Sequence, residues 1–207
     1  NKYHYQVKRT TLSFPNLPPS FKGLKVAHIS DIHSGSFTDK KAVMKGVEKI
    51  MNEKPDLILF TGDLVNNVAE EMDAYMDVFD KLQAPMGIYS TLGNHDYGDY
   101  ISWETEEHKK ANLERGEDRI AVIGIENWSS KANFPKYGDM GKAYSGTENV
   151  PFKILLSHDP SHWRKEVLAS YPGIDLMLSG HTHGMQFGVE IPGLKWSPVQ
   201  YVYREWA

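Results

Sequence analysis

The 207-residue chain has no cysteine, which excludes disulfides and thiolate metal sites and leaves the redox compartment open. No stretch approaches the roughly 20 apolar residues of a membrane span. Neither an initiator Met nor a signal-peptide pattern opens the chain. Lys and Arg form no run and the formal net charge is −4, so no field, local or overall, favours nucleic acid. Internal repeats and low-complexity segments are missing too. What is present is ordinary for a globular protein: 40% hydrophobic and 24% charged residues. That length suits one domain over 1–207 with a well-buried core. The abrupt start leaves room for an N-terminal membrane anchor outside these residues.

Short apolar runs alternate with helical patterns. "YQVKRTTLSF" alternates weakly and predicts an edge strand, closed by "PNLPPS". Further strands are expected at 24–30, 57–62, 87–93, 119–125, 152–157 and 175–180. Helices are expected at 39–52, at 70–82 (Met72, Tyr75, Met76, Phe79, Leu82), and as a polar segment near 102–114. Another should follow Asp159 and Pro160, with Trp163, Val167 and Leu168 facing inward. The alternation predicts an α/β class.

The strand ends carry the chemistry. "SDIHSG" gives Asp31 and His33, "TGDLVNN" gives Asp63, and "LGNHD" gives Asn94, His95 and Asp96. "LSHDP" gives His158, and "SGHTHG" gives His181 and His183. A lone Asp or Asn after a strand is usually a turn or cap, and each block alone is weak. His28 reads as a sheet histidine and His162 as structural; His4 and His108 receive no role. Five strand ends that all deliver oxygen or imidazole donors to the carboxyl edge are another matter, because that edge is where α/β sheets bind ligands. Asp31, His33, Asp63, Asn94, His158, His181 and His183 are too many for one catalytic ion and suit two. Such a set admits Mn, Fe, Zn, Co or Mg. The histidines and the Asn amide disfavour Mg or Ca as the natural pair, and manganese is expected first.

The blocks "DIH", "GD", "GNHD", "SH" and "GHTH", in this order from about residue 24 to 190, resemble the calcineurin-like metallophosphoesterases. The similarity is strongest to the bacterial YkuE-like subgroup, related to UDP-2,3-diacylglucosamine pyrophosphatases of lipid A synthesis. The resemblance implies a four-layer αββα sandwich, two mixed β-sheets flanked by helices. It implies that Asp31, His33, Asp63 and His183 hold one divalent ion, that Asp63, Asn94, His158 and His181 hold the second, and that Asp63 bridges them. It further implies in-line attack on a phosphoryl group by a bridging hydroxide, with His95 protonating the leaving oxygen.

Two features depart from the pattern. Many relatives read GDxxD, where the second Asp orients the catalytic histidine; here that position is Asn66. Asp96, beside His95, is expected to take over. The join before "RIAVIGI" is also short, which leaves room for a missing loop near 114–118. The expected substrate is a phosphodiester or pyrophosphate, lipid-linked or a nucleotide-sugar lipid, met at a membrane by a monomer that does not bind nucleic acid. Phe37, Tyr97, Tyr100, Trp128, Phe134 and Tyr137 are candidate pocket residues. The rival readings are a non-catalytic scaffold on this fold, and a phosphomonoesterase or nuclease of the same family.

Overall fold

A computed structural model describes residues 2–97, 110–115, 118–129, 136–183, 189–191 and 194–196. Strands β1 (Val26–Ile29), β2 (Leu57–Phe60) and β3 (Ile88–Ser90) form a parallel sheet in that order. A second sheet has the order β4 (Lys110–Arg115), β5 (Asp118–Gly124), β6 (Lys153–Leu156) and β7 (Leu176–Leu178). It is mixed: β4 is antiparallel to β5, and the rest are parallel. Strands β8 (Val189–Ile191) and β9 (Leu194–Trp196) make a separate antiparallel pair.

Side-chain alternation along a strand explains the layering. Leu57 and Leu59 of β2 pack with Ile120, Val122, Ile154 and Leu156 of the second sheet, with Phe21 and Phe152 closing the same cluster. The alternate residues Ala121, Ile123 and Leu155 face outward under Met140, Ala143 and Val167. On the other side, Val43 and Val47 of helix α1 (Lys40–Asn52) pack with Tyr75 and Val78. Two sheets face to face with helical segments outside give the expected α/β sandwich, although the first sheet is purely parallel among the described residues. Asp39 starts α1 by accepting the Ala42 N–H at 3.0 Å, the usual task of an N-cap aspartate.

The structure corrects four expectations. Residues 5–14 form no strand. Their polar groups are met by α1 and its C-cap instead: Arg9 Nε donates to Glu53 at 2.8 Å and Lys49 Nζ donates to the Tyr5 carbonyl at 2.8 Å. The polar helix near 102–114 is wrong where it can be compared, because 110–115 is strand β4, laddered residue for residue against β5; 102–109 lie outside the described residues. The helix at 70–82 is a 3-10 helix (Ala69–Tyr75) running into α2 (Met76–Phe79). Its buried residues Met72, Tyr75 and Val78 recur every third position, the 3-10 period, while Met76 is 51% exposed. Leu168, expected inside, is 56% exposed. One π-helical turn (Trp163–Val167) precedes α3 (Leu168–Ser170) and puts Val167, as expected, in the core.

That turn also buries His162. Its Nδ1 lies 2.8 Å from the Ser157 hydroxyl, and its ring stacks on Trp128 at 4.2 Å. Trp128, a candidate pocket residue, is thus core. Burial above all holds the His162 pKa at about 4, against the pull of Glu166. The unfolded chain takes up this proton below pH ~6.5 and the folded one only near 4, so stability is lost as pH falls through that window. The loss amounts to as much as roughly 3 kcal/mol. In chelator, the urea stability of the wild type should drop more between pH 7 and 5 than that of His162→Gln. Equal drops would show that His162 does not titrate in this way.

Candidate metal centre

The carboxyl ends of β1, β2 and β3 on one sheet and of β6 and β7 on the other open onto one point. The two halves are bonded there: His158, on the loop after β6, lies with Nδ1 2.7 Å from the carbonyl of Thr61, at the end of β2. A carbonyl only accepts, so Nδ1 carries the proton and Nε2 presents a lone pair. That lone pair meets Asn94 Oδ1 at 3.1 Å, Asp63 Oδ2 at 3.2 Å and His181 Nδ1 at 3.3 Å. Asn94 Oδ1 is also 2.9 Å from His181 Nδ1. Acceptors crowded this closely repel one another unless a cation or proton sits between them. Burial disfavours charge on His158, but Asp63 outweighs it and raises the pKa. His181 is driven the other way, to about 4, by burial and then by His158.

A second group adjoins the first. His33 Nε2 is 3.6 Å from Asp63 Oδ2, His183 Nε2 is 3.5 Å from Asp31 Oδ1, and the His33 and His183 rings stack at 4.8 Å. Two donor sets able to hold an ion result: Asp31, His33, Asp63 and His183, and Asp63, His158 and His181. Asp63 belongs to both. Its side chain is 1% exposed; Oδ1 accepts the His95 N–H at 2.9 Å, while Oδ2 has no hydrogen-bond donor. His33 Nε2 is likewise buried without a partner. Burial opposes the Asp63 charge, yet His158 and His95 keep its pKa lowered. A buried, ionised oxygen left bare between two sets of donors fits a cation.

The backbone is bent to make this possible. Six described non-glycine residues have left-handed φ, and five are Asp31, His33, Asp63, His181 and His183. Such conformations cost energy and persist where the surroundings enforce them. Two glycines let the loops approach this closely: a Cβ at Gly93 would collide with Asp63 and His158, and one at Gly180 with Ser30 and Asp31.

His95 stands beside the two sets, its ring edge-on to His33 at 4.8 Å. Asp96 does not orient it, contrary to the sequence expectation. The Asp96 carboxylate accepts the N–H groups of Asp63 (2.7 Å), Leu64 (2.7 Å) and Gly93 (2.8 Å), and so ties the β2 loop to the β3 loop. Burial first, and then the neighbouring Asp63, raise its pKa against these bonds. The partner of the His95 ring is the main-chain carbonyl of Asn66, 2.8 Å from Nδ1. The Asn66 side chain turns away and donates to Ser36 Oγ at 3.0 Å. Glu71, unremarked in the sequence, receives the N–H groups of Asn66, Asn67 and Gly35. A signal for it existed: a Glu three residues after Val68, at a helix start, is where capping carboxylates reach back. Phe37 packs on Tyr75 at 5.2 Å in the helical layer, and Tyr137 is exposed. Tyr100 and Phe134 lie outside the described residues.

A calcineurin-like phosphoesterase family model matches residues 24–185. The chain belongs to that family. It is 31% identical over 195 residues to the uncharacterized metallophosphoesterase YkuE of Bacillus subtilis, covering 88% of this chain and 65% of that one. It is 31% identical over 186 residues to a transmembrane protein with metallophosphoesterase domain from Danio rerio, covering 82% and 42%. Similarity extends to the UDP-2,3-diacylglucosamine pyrophosphatase LpxG of Chlamydia trachomatis, 27% over 238 residues, covering 86% and 69%. The chain thus spans about two fifths to two thirds of the length of these relatives. Haemophilus influenzae NAD nucleotidase shares the fold, with a TM-score of 0.51 and 19% identity over 76% of this chain and 38% of that one. Membership supports a phosphohydrolase. No helix among the described residues is long and apolar enough to cross a membrane.

Proposed function

We propose that residues 1–207 are one catalytic domain that hydrolyses a phosphodiester or pyrophosphate with two divalent ions. The carrying observation is Asp63 Oδ2, buried, bare of donors and common to both donor sets. Asp31, His33, Asp63 and His183 would hold one ion, and Asp63, Asn94, His158 and His181 the other, with manganese first among the candidates. When bound, such a pair activates water as nucleophile and neutralises charge on a phosphoryl group. The chain supplies only two carboxylates, Asp31 and Asp63, against four positive charges, so the loaded pocket attracts an anion. His95 holds its Nδ1 proton on the Asn66 carbonyl, so that in the doubly protonated ring the Nε2 proton is the one given to the departing oxygen, and the ring is left neutral.

The substrate reading is lipid-linked, at a membrane surface. A cleft of about 1630 Å³ runs from Asp31, His33, His95 and His183 between the N-terminal segment and β1, past Leu12, Phe14, Val26 and Ile29. Leu12 is 54% exposed and Val26 39%, an apolar wall that suits an acyl or similar chain. The relative LpxG, named for a diacylated nucleotide sugar, supports the same class. Reloaded with Mn after chelation, the protein should hydrolyse a UDP-diacylglucosamine or phospholipid substrate in micelles better than a soluble cyclic diester. Leu12→Asp should lower turnover of the lipid substrate several-fold and spare the soluble one. Preference for the soluble diester, with no effect of Leu12→Asp, would remove the lipid; no metal-restored hydrolysis of any phosphoester would remove the enzyme.

A further inference from the structure

The chain lacks a carboxylate at position 66, yet a carboxylate stands one peptide group away. Glu71 Oε1 accepts the Asn67 N–H at 3.1 Å. That N–H belongs to the same peptide unit as the Asn66 carbonyl, which lies 2.8 Å from His95 Nδ1. No described peptide is cis, so the N–H and C=O of this unit point in opposite directions. Glu71 therefore sits on one side of the peptide and His95 on the other. Glu71 Oε2 fixes the preceding peptide as well, through the Asn66 N–H at 2.6 Å, and reaches the β1 loop through the Gly35 N–H at 3.1 Å.

Glu71 is built into place. A Cβ at Gly35 would come within 2.5 Å of Glu71 Oε2, so a side chain there would have to displace the carboxylate. Burial works against the Glu71 charge, but the N–H groups of Asn66, Asn67, Val68 and Gly35 outweigh it and keep its pKa lowered. An ionised acceptor on one end of a peptide strengthens the acceptor at the other, because hydrogen bonds in a chain polarise one another by about 10–30% per bond.

We infer that Glu71 is a positioning residue for His95: carboxylate, Asn66–Asn67 peptide and imidazole form a relay that does the work of the missing carboxylate at position 66. The inference rests on the proposed role of His95. The relay pins the Asn66 carbonyl, holds the His95 proton on Nδ1, and turns Nε2 toward the pocket. After Nε2 gives its proton to the leaving oxygen, the ring is neutral with the Nδ1 proton retained. The peptide and Glu71 exchange no proton.

The test uses the full chain, metal-loaded, with Glu71→Gln, His95→Ala and Glu70→Gln as an exposed control on the same 3-10 helix. Nitrogen NMR of labelled histidine should find the neutral His95 ring protonated at Nδ1 in the wild type and in Glu70→Gln. In Glu71→Gln it should show a mixture of the two tautomers. Turnover of an alkyl phosphodiester should fall about ten-fold in Glu71→Gln, a fraction of the general-acid factor of ~10²–10⁴, while an activated aryl diester changes less than about two-fold. Gly35→Ala, which pushes the carboxylate away from the loop side, should shift both readouts in the same direction. An unchanged tautomer and unchanged leaving-group profile in both variants, with His95→Ala showing the split, would overturn the relay and leave His95 as the acid. Equal losses for both substrates in His95→Ala would overturn the acid role instead, and the tautomer would still decide whether Glu71 orients the ring.

Discussion

Asp63→Asn is expected to lose most of its bound metal and nearly all of its hydrolysis. The substitution keeps the shape and leaves an oxygen for the His95 N–H, now 2.9 Å from Oδ1, so the fold should survive. It removes the charge from the one side chain shared by both donor sets. The loss should exceed the roughly 10–100-fold that follows removal of a mere outer partner of a ligand. Metal analysis after gel filtration and turnover of an activated diester provide the check. Two full equivalents with normal turnover would end the dinuclear reading.

His95→Ala should separate binding from chemistry. The His95 ring is not in either donor set, so two equivalents of metal should remain. Turnover of substrates with alkyl or sugar leaving groups should fall by ~10²–10⁴. An activated aryl leaving group needs little proton help and should lose far less. Equal losses on both would mean that the ring positions the phosphoryl group. Measured side by side, Asp63→Asn and His95→Ala distinguish a pocket that has lost its ions from one that has lost its acid.

The strand ends were readable because each donor sits within a few residues of an apolar run, bounded by glycines or small residues that have no other use there. Gly93 and Gly180 are legible as such once their neighbours are known to be Asp63, His158 and Asp31. Much less legible was anything carried by main chain. Neither the Thr61 carbonyl that sets the tautomer of His158 nor the Asn66 carbonyl that holds His95 has a side-chain signature. Asp96 was misread for the same reason: adjacency in sequence suggested a partner for His95, whereas four residues of loop geometry aimed it at N–H groups. Among the fold elements, Lys110–Arg115 has helix-compatible composition and becomes strand only because β5 offers it a ladder. Local preference yields to a tertiary partner in such cases. The 3-10 helix at Ala69–Tyr75 differs from an α-helix by a spacing of three against a mixture of three and four, too small a difference to resolve over two turns.

The bond from His158 to the Thr61 carbonyl crosses from one sheet to the other, and so do the donor sets themselves. Ions seated there would act as rivets through the seam of the sandwich. Their grip would depend on how far apart Leu59 and Leu156 keep the two sheets, residues with no part in the chemistry. Binding and folding would then be two readings of one free energy: a cation held only by the closed seam adds RT ln(1 + [L]/Kd) to the work of opening it. A worn interior would show itself first as a leak of metal, well before the protein came apart.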